Sequence, residues 1–202
     1  INLIPRLFDV SSGEVFIDGV NIKDISLKTL RRSVGFVPQE AFLFSDTIRN
    51  NICYGKDDAT EQELMKKAEI AQFSKDVLQF PEGFETMVGE RGITLSGGQK
   101  QRASLTRALM IEPKILILDD SFSAVDTHTE EEILQGLRGF MKGRTTIMVS
   151  HRVSTVKDAD KIVVLDKGKI IEEGTHEELL QLNGIYAGIY SRQLLEQEIE
   201  EI

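Results

Sequence analysis

The run Leu95-Ser96-Gly97-Gly98-Gln99 puts a hydroxyl and two residues without side chains at the mouth of a helix that continues through Lys100-Gln101-Arg102 and ends before Pro113. A helix N-terminus carries unpaired backbone N–H groups and the positive end of the peptide dipole, so these residues form a place where a phosphate can sit. Further along, Ile115-Leu116-Ile117-Leu118 is an unbroken apolar run that ends in Asp119-Asp120. Carboxylates at the end of a buried strand can hold Mg²⁺ and order water. Mg²⁺ is small, hard and reluctant to lose water, so a single carboxylate at a fixed strand end suffices, and Asp119 is the candidate.

The elements that must position these groups are legible in the same chain. Glu14-Val15-Phe16-Ile17 alternates and meets an Asp18-Gly19 turn, as an antiparallel strand does. Ser33-Val34-Gly35-Phe36-Val37 predicts a second strand, stopped by Pro38, with Gln39 at its carboxyl end, where α/β sheets bind ligands. Thr60-Glu61-Gln62-Glu63 is a capping-box sequence opening a helix with Leu64, Ala68 and Ala71 on one face, and Pro81-Glu82-Gly83 breaks the chain afterwards. The Ile115-Leu116-Ile117-Leu118 run predicts a central parallel strand buried on both faces, with Thr145-Thr146-Ile147-Met148-Val149 beside it, delivering His151 at the same sheet edge. Lys161-Ile162-Val163-Val164-Leu165, the turn Asp166-Lys167-Gly168 and Lys169-Ile170-Ile171 predict a hairpin, and Thr175-His176-Glu177-Glu178 a further capped helix. His128 and His176, at predicted helix starts, are expected to be solvated surface residues. From Glu196 the charged tail is expected to fray or to be disordered.

The fold class is therefore α/β in one domain, residues 1–202. Residues 1–45 and 111–192 supply a mixed, mainly parallel sheet core, 46–110 a helical subdomain, and 193–202 a charged tail. A length of 202 residues with 41% hydrophobic content can bury a real core. No apolar run exceeds four residues, so any membrane-spanning part is expected outside this chain, and the composition agrees with a soluble, cytosolic domain. The single cysteine, Cys53, excludes an internal disulfide, fits a reducing compartment and reads as a small half-buried core residue. A net charge of −9 without a basic stripe argues against a nucleic-acid partner. No signal peptide or internal repeat is visible.

By this order and spacing of motifs, the chain resembles the nucleotide-binding domain of an ATP-binding cassette transporter, from Ile1 to about Gln193. Residues 95–99 match that family's signature motif, and 115–119 its Walker B strand. Ser123-Ala124-Val125-Asp126 match its D-loop, Gln39 its Q-loop glutamine and His151 its switch histidine. The resemblance implies a P-loop-NTPase-like cassette with ATP and Mg²⁺ as cofactors. Asp119 and Gln39 are the implied metal contacts. Gln39, Ser96, Gly97, Gly98, Gln99 and Asp126 are the implied nucleotide contacts, and Asp120 and His151 the implied catalytic pair. No G-x-x-x-x-G-K-[ST] run occurs. Ile1-Asn2-Leu3-Ile4-Pro5-Arg6-Leu7-Phe8 resembles the stretch that follows the family's P-loop, so the expectation is a chain truncated after that loop, unable by itself to turn ATP over.

Asp120 stands where the family usually carries a catalytic glutamate. A side chain one methylene shorter leaves its carboxylate about 1 Å or more short of the lytic water, a misplacement able to cost about a hundredfold in rate. The resemblance extends to heterodimeric bacterial exporters of the multidrug or lipid type in which one composite site is degenerate in this way. In that family two cassettes join head to tail, each lending its signature to the other's P-loop, and transmembrane domains are fused upstream, which places the cassette on the cytoplasmic face of the inner membrane. Val88-Gly89-Glu90-Arg91-Gly92 resembles the exporters' X-loop, and Lys169-Ile170-Ile171-Glu172-Glu173-Gly174-Thr175-His176-Glu177-Glu178-Leu179 their C-terminal stretch. Glu40-Ala41-Phe42-Leu43-Phe44-Ser45-Asp46-Thr47-Ile48 resembles the Q-loop stretch that receives the coupling helices of the membrane domain. Two other readings stay open. A soluble cassette ATPase of DNA maintenance or translation would carry a coiled-coil insertion or tandem cassettes, which this chain lacks, and a regulatory module would hold nucleotide with little turnover.

Overall fold

In the computed structural model, which describes residues 1–56, 58–89 and 92–200, the side chains of Gln197 and Glu200 excepted, the chain divides into two compact units, Ile1–Val149 and Ser150–Ile202. Glu90 and Arg91 of the X-loop stretch, and the last two residues of the tail, lie outside the described residues. In the first unit, β1 (Phe16–Ile17) and β2 (Val20–Asn21) pair antiparallel around Asp18 and Gly19, both at positive φ, as a tight two-residue hairpin requires. Helix α1 (Leu27–Ser33), capped by the Ser26 hydroxyl, runs directly into β3 (Val34–Val37), so Ser33 ends the helix rather than starting the strand.

The predicted helical stretch follows. It contains α2 (Ile48–Ile52), α3 (Glu61–Ile70), α4 (Ser74–Val77), a 3₁₀ turn (Gly83–Glu85) and α5 (Gly97–Met110). Thr60 and Glu63 form the expected reciprocal cap on α3, whose Leu64 and Ala68 are buried. Strand β4 (Ile115–Asp119), helix α6 (Thr127–Met141) and strand β5 (Thr145–Val149) complete the unit. The sheet order is β3-β4-β5, all parallel, with Val34 opposite Ile115 and Ile115 opposite Thr145.

Strand β4 shows why an unbroken apolar run belongs at the centre. Successive side chains point to opposite faces, so Leu116 and Leu118 enter one core with Val37, Leu64, Phe73 and Leu109, while Ile117 enters another with Ile22, Leu30 and Val34. The helices of residues 46–110 thus share their core with the sheet instead of closing one of their own. Gly35 is the contact point: a Cβ there would lie 2.7 Å from Pro113 Cγ and 2.9 Å from the Ala108 carbonyl, so only glycine lets α5 lie on β3. Cys53 is half-buried against this core.

The second unit holds α7 (Val153–Val156), an antiparallel hairpin of β6 (Ile162–Asp166) and β7 (Lys169–Gly174), α8 (His176–Leu182) and α9 (Ile185–Glu200). Its core joins Val153, Ile162, Leu179 and Tyr186. Two expectations change. His176 is not a solvated residue: its Nδ1 lies 2.8 Å from the Tyr186 hydroxyl and its ring packs edge-on against Tyr186 and Tyr190, because α9 folds back onto the start of α8. The start of the charged tail is helical, since α9 continues to Glu200. Glu172 starts that helix by accepting the Ile185 and Tyr186 backbone N–H groups at 2.6 and 3.0 Å. His128 is exposed, as expected.

Candidate nucleotide site

Helix α5 begins with a closed reciprocal cap. The Gln99 N–H donates to Ser96 Oγ at 3.2 Å and the Ser96 N–H donates to Gln99 Oε1 at 2.9 Å. The cap fixes the Ser96 hydroxyl at the helix mouth, where the N–H groups of Gly97 and Gly98 have no acceptor within the helix. Ser96 and Gly97 are exposed, and Gly98 is buried. Gly98 is small for a further reason: a Cβ there would lie 2.8 Å from the Ala124 carbonyl. The turn after β4 therefore lies directly on the first turn of α5.

That turn is tied to α5 by a residue the sequence reading passed over. Gln101, buried, accepts the Ala124 N–H and donates to Ser123 Oγ, both at 3.0 Å. Ser123 Oγ also donates to the Asp120 carbonyl at 3.0 Å. Asp120 adopts a left-handed backbone, φ 46°, a conformation that aspartate tolerates better than most residues, and its N–H donates to the Val149 carbonyl of the neighbouring strand at 2.9 Å. Its carboxylate accepts the Gln39 amide at 3.1 Å. The structure thus joins Gln39 to Asp120 across the carboxyl ends of β3 and β4, and through Ser123 and Gln101 to the signature helix.

Asp119 is the half-buried last residue of β4. Among the described residues no three His, Cys, Asp or Glu side chains gather as a metal cluster. A single strand-end carboxylate is nevertheless what Mg²⁺ asks of a protein when water and phosphate oxygens fill its shell, so the donor set fits that ion. Asp126 takes a structural part: it caps α6, its Oδ1 accepting the Thr129 N–H at 2.9 Å, and the Thr129 backbone and hydroxyl hold its carboxyl below the usual range.

His151 belongs to the second unit, exposed in the turn between β5 and α7. That turn is clamped from α9: Gln193 Nε2 donates to the His151 carbonyl at 2.6 Å, and Gln193 Oε1 accepts the Val153 N–H at 2.8 Å. Gln193 stands at the start of the predicted charged tail. Its partners lie 42 and 40 residues away, so no local pattern could have found it.

The other side of α5 holds the stretch after Gln39. Arg107 donates to the carbonyls of Phe42 and Asn51 at 3.0 and 2.7 Å. Beyond it, Phe42, Phe44 and Tyr54 are exposed yet packed on one another, with ring centroids 5.1 and 5.3 Å apart, beside a hollow of about 250 Å³ lined by Phe44, Ser45, Asp46, Asn50, Asn51 and Tyr54.

A parallel sheet with carboxylates at its carboxyl edge, cross-linked to a glycine-opened helix N-terminus, is an arrangement that nucleotide-binding α/β proteins use. Comparison with known sequences makes this specific: residues 1–123 match the ABC transporter family, and the chain belongs to it. It is 47% identical over its full length to an ATP-dependent lipid A-core flippase of Syntrophus aciditrophicus, and 49% identical over 95% of its length to another of Desulfotalea psychrophila. An ATP-bound bacterial Atm1-family ABC exporter has the same fold over 95% of this chain, with a TM-score of 0.90 and 43% identity. The chain spans about a third of the length of these relatives: 33% and 34% of the two flippases and 34% of the exporter. No helix among the described residues is long and apolar enough to cross a membrane.

Proposed function

We propose that this chain is the nucleotide-binding part of an exporter that couples ATP binding and hydrolysis to movement of a substrate across the inner membrane, with the cassette on its cytoplasmic face. The observation that carries the reading is the capped, glycine-opened end of α5 joined through Gln101 and Ser123 to the carboxylate turn after β4. In the assembly, Ser96, Gly97, Gly98 and Gln99 contact the terminal phosphate of ATP held on the P-loop of a second cassette, arranged head to tail. Asp119 and Gln39 would hold the Mg²⁺ of this chain's own composite site, where the ion would neutralise charge developing on the phosphates. Asp120 is the base for the lytic water and His151 hydrogen-bonds the terminal phosphate. Asp126 borders the nucleotide through the turn it ends.

The aspartate at position 120 supports a heterodimer in which this composite site is the slow one and the signature of this chain serves the faster site. Transmembrane domains in the same longer protein dock on the exposed Phe42, Phe44 and Tyr54 cluster, which supports exporter coupling over a soluble cassette ATPase. The reading is tested by Ser96→Arg in the full-length protein reconstituted in liposomes. A bulky cation in the place of the terminal phosphate is expected to lower ATP turnover about a hundredfold or more while nucleotide binding on the partner's P-loop survives. Turnover near wild type would overturn the composite-site reading.

A further inference from the structure

The cap that presents Ser96 is itself held by a side chain outside the signature. Asp76, on the short α4, is 15% exposed, and its Oδ2 accepts two bonds from Arg102, 3.1 Å from Nε and 2.7 Å from the terminal nitrogen. Its other oxygen accepts the Gln99 amide Nε2 at 3.0 Å. Buried Phe73 and Val77 on either side anchor α4 in the main core, so the carboxylate is fixed from its own element.

An amide group has one acceptor end and one donor end, so whatever binds one end sets the other. With its NH₂ drawn to Asp76, Gln99 must turn Oε1 toward the Ser96 N–H, and this closes the half of the cap that the backbone alone cannot close. Arg102 completes the arrangement. Its guanidinium, with two nitrogens on Oδ2, neutralises Asp76, so that a half-buried negative charge near the helix mouth does not oppose an incoming phosphate.

We propose that Asp76 is a positioning residue for the nucleotide contact at the N-terminus of α5: it fixes the Gln99 amide and thereby the Ser96 hydroxyl and N–H. The role rests on the reading of residues 96–99 given under Proposed function. A neutral asparagine cannot fill it. Its single oxygen goes to the charged Arg102, its NH₂ then meets the NH₂ of Gln99, and Gln99 must flip and turn a donor against the Ser96 N–H.

The test uses the full-length protein in liposomes. Asp76→Asn is expected to lower kcat for ATP about tenfold, with KM within about twofold because nucleotide affinity rests on the partner's P-loop. In a Gln99→Ala background the same substitution is expected to change kcat by less than about twofold, since the group through which Asp76 acts is gone. Wild-type kcat in Asp76→Asn overturns the proposal, and so does an undiminished tenfold loss in the Gln99→Ala background, which would place its role in the fold. As a guard against misfolding, the paired exchange Asp76→Leu with Arg102→Met removes both charges at similar volume and is expected to keep the melting temperature while losing kcat by a similar factor. Wild-type kcat in the pair would also overturn the proposal. Ser96→Arg in the same assembly separates the two readings: if it is dead while Asp76→Asn is fully active, only the role of Asp76 falls, and if it turns over normally, the reading of the signature falls.

Discussion

The starts of α5 and α8 use the same reciprocal cap, neutral on α5 and acidic on α8. On α8, Thr175 pairs with Glu178 and the first turn also holds Glu177, whereas on α5 Ser96 pairs with Gln99 and no acidic residue occupies the first turn. Helix α3 follows α8, with Thr60 and Glu63. A carboxylate at the third position satisfies the backbone donors and also neutralises the positive helix end, which is the better solution where the helix needs only to begin. A glutamine satisfies the same donors and leaves the dipole free. On the proposed reading of residues 96–99, the neutral reciprocal cap of α5 leaves its helix end open to an anion, which the acidic reciprocal caps of α3 and α8 would repel.

Making α5 resemble α8 breaks the comparison most directly. Gln99→Glu keeps an acceptor for the Ser96 N–H but sets a carboxylate against Asp76 and beside the phosphate contact, so turnover of the assembled transporter is expected to fall about tenfold with little change in melting temperature. Unchanged kcat in liposomes would show that the charge of the cap is immaterial to function.

How much of this was legible follows the sequence distance of the bonds. The caps on α3 and α8 join residues three apart and could be read from the chain, as could the burial of β4 on both faces. Nothing local marked Asp76, 23 residues from Gln99, or Gln193, 42 residues from His151. His176 looked like a solvated helix start because its partners, Tyr186 and Tyr190, lie on the next helix. Gly98 was read as clearing the way for a phosphate. Its closer constraint is the Ala124 carbonyl, which only the packed turn reveals.

Acid separates the two kinds of cap further. The Glu63 carboxyl is held down to about 2 by the Lys56 ammonium and then by the Thr60 N–H, and Glu178 is lowered by the Thr175 N–H and hydroxyl. Their folded values lie below the unfolded ones, so their contribution is complete above about pH 4.5, the ordinary glutamate value, and is lost as pH falls toward 2. The expected outcome is a urea midpoint that declines over that window, less steeply when Glu63 and Glu178 are both changed to Gln. Equal slopes in the wild type and the double Gln variant would contradict this account.

The smallest expected effect tests the slow site proposed at Asp120. Asp120→Glu restores the missing methylene, yet the position is left-handed at φ 46°, which glutamate adopts less readily than aspartate, and the carboxylate is already engaged by Gln39 at 3.1 Å. A longer side chain gains reach toward the lytic water and loses that anchor. With the partner's own catalytic glutamate disabled, so that only this composite site is read, the single change is expected to raise turnover by no more than about threefold, and repair of the partner's signature together with Asp120→Glu by more than the product of the two single gains. That excess arises because closure of the site and placement of the base are needed together, so neither repair is fully expressed without the other. Substantial turnover in the same background with Asp120 left as it is would show that aspartate, held by Gln39 and the left-handed turn, is a competent base, and the division into a fast and a slow site would have to be given up.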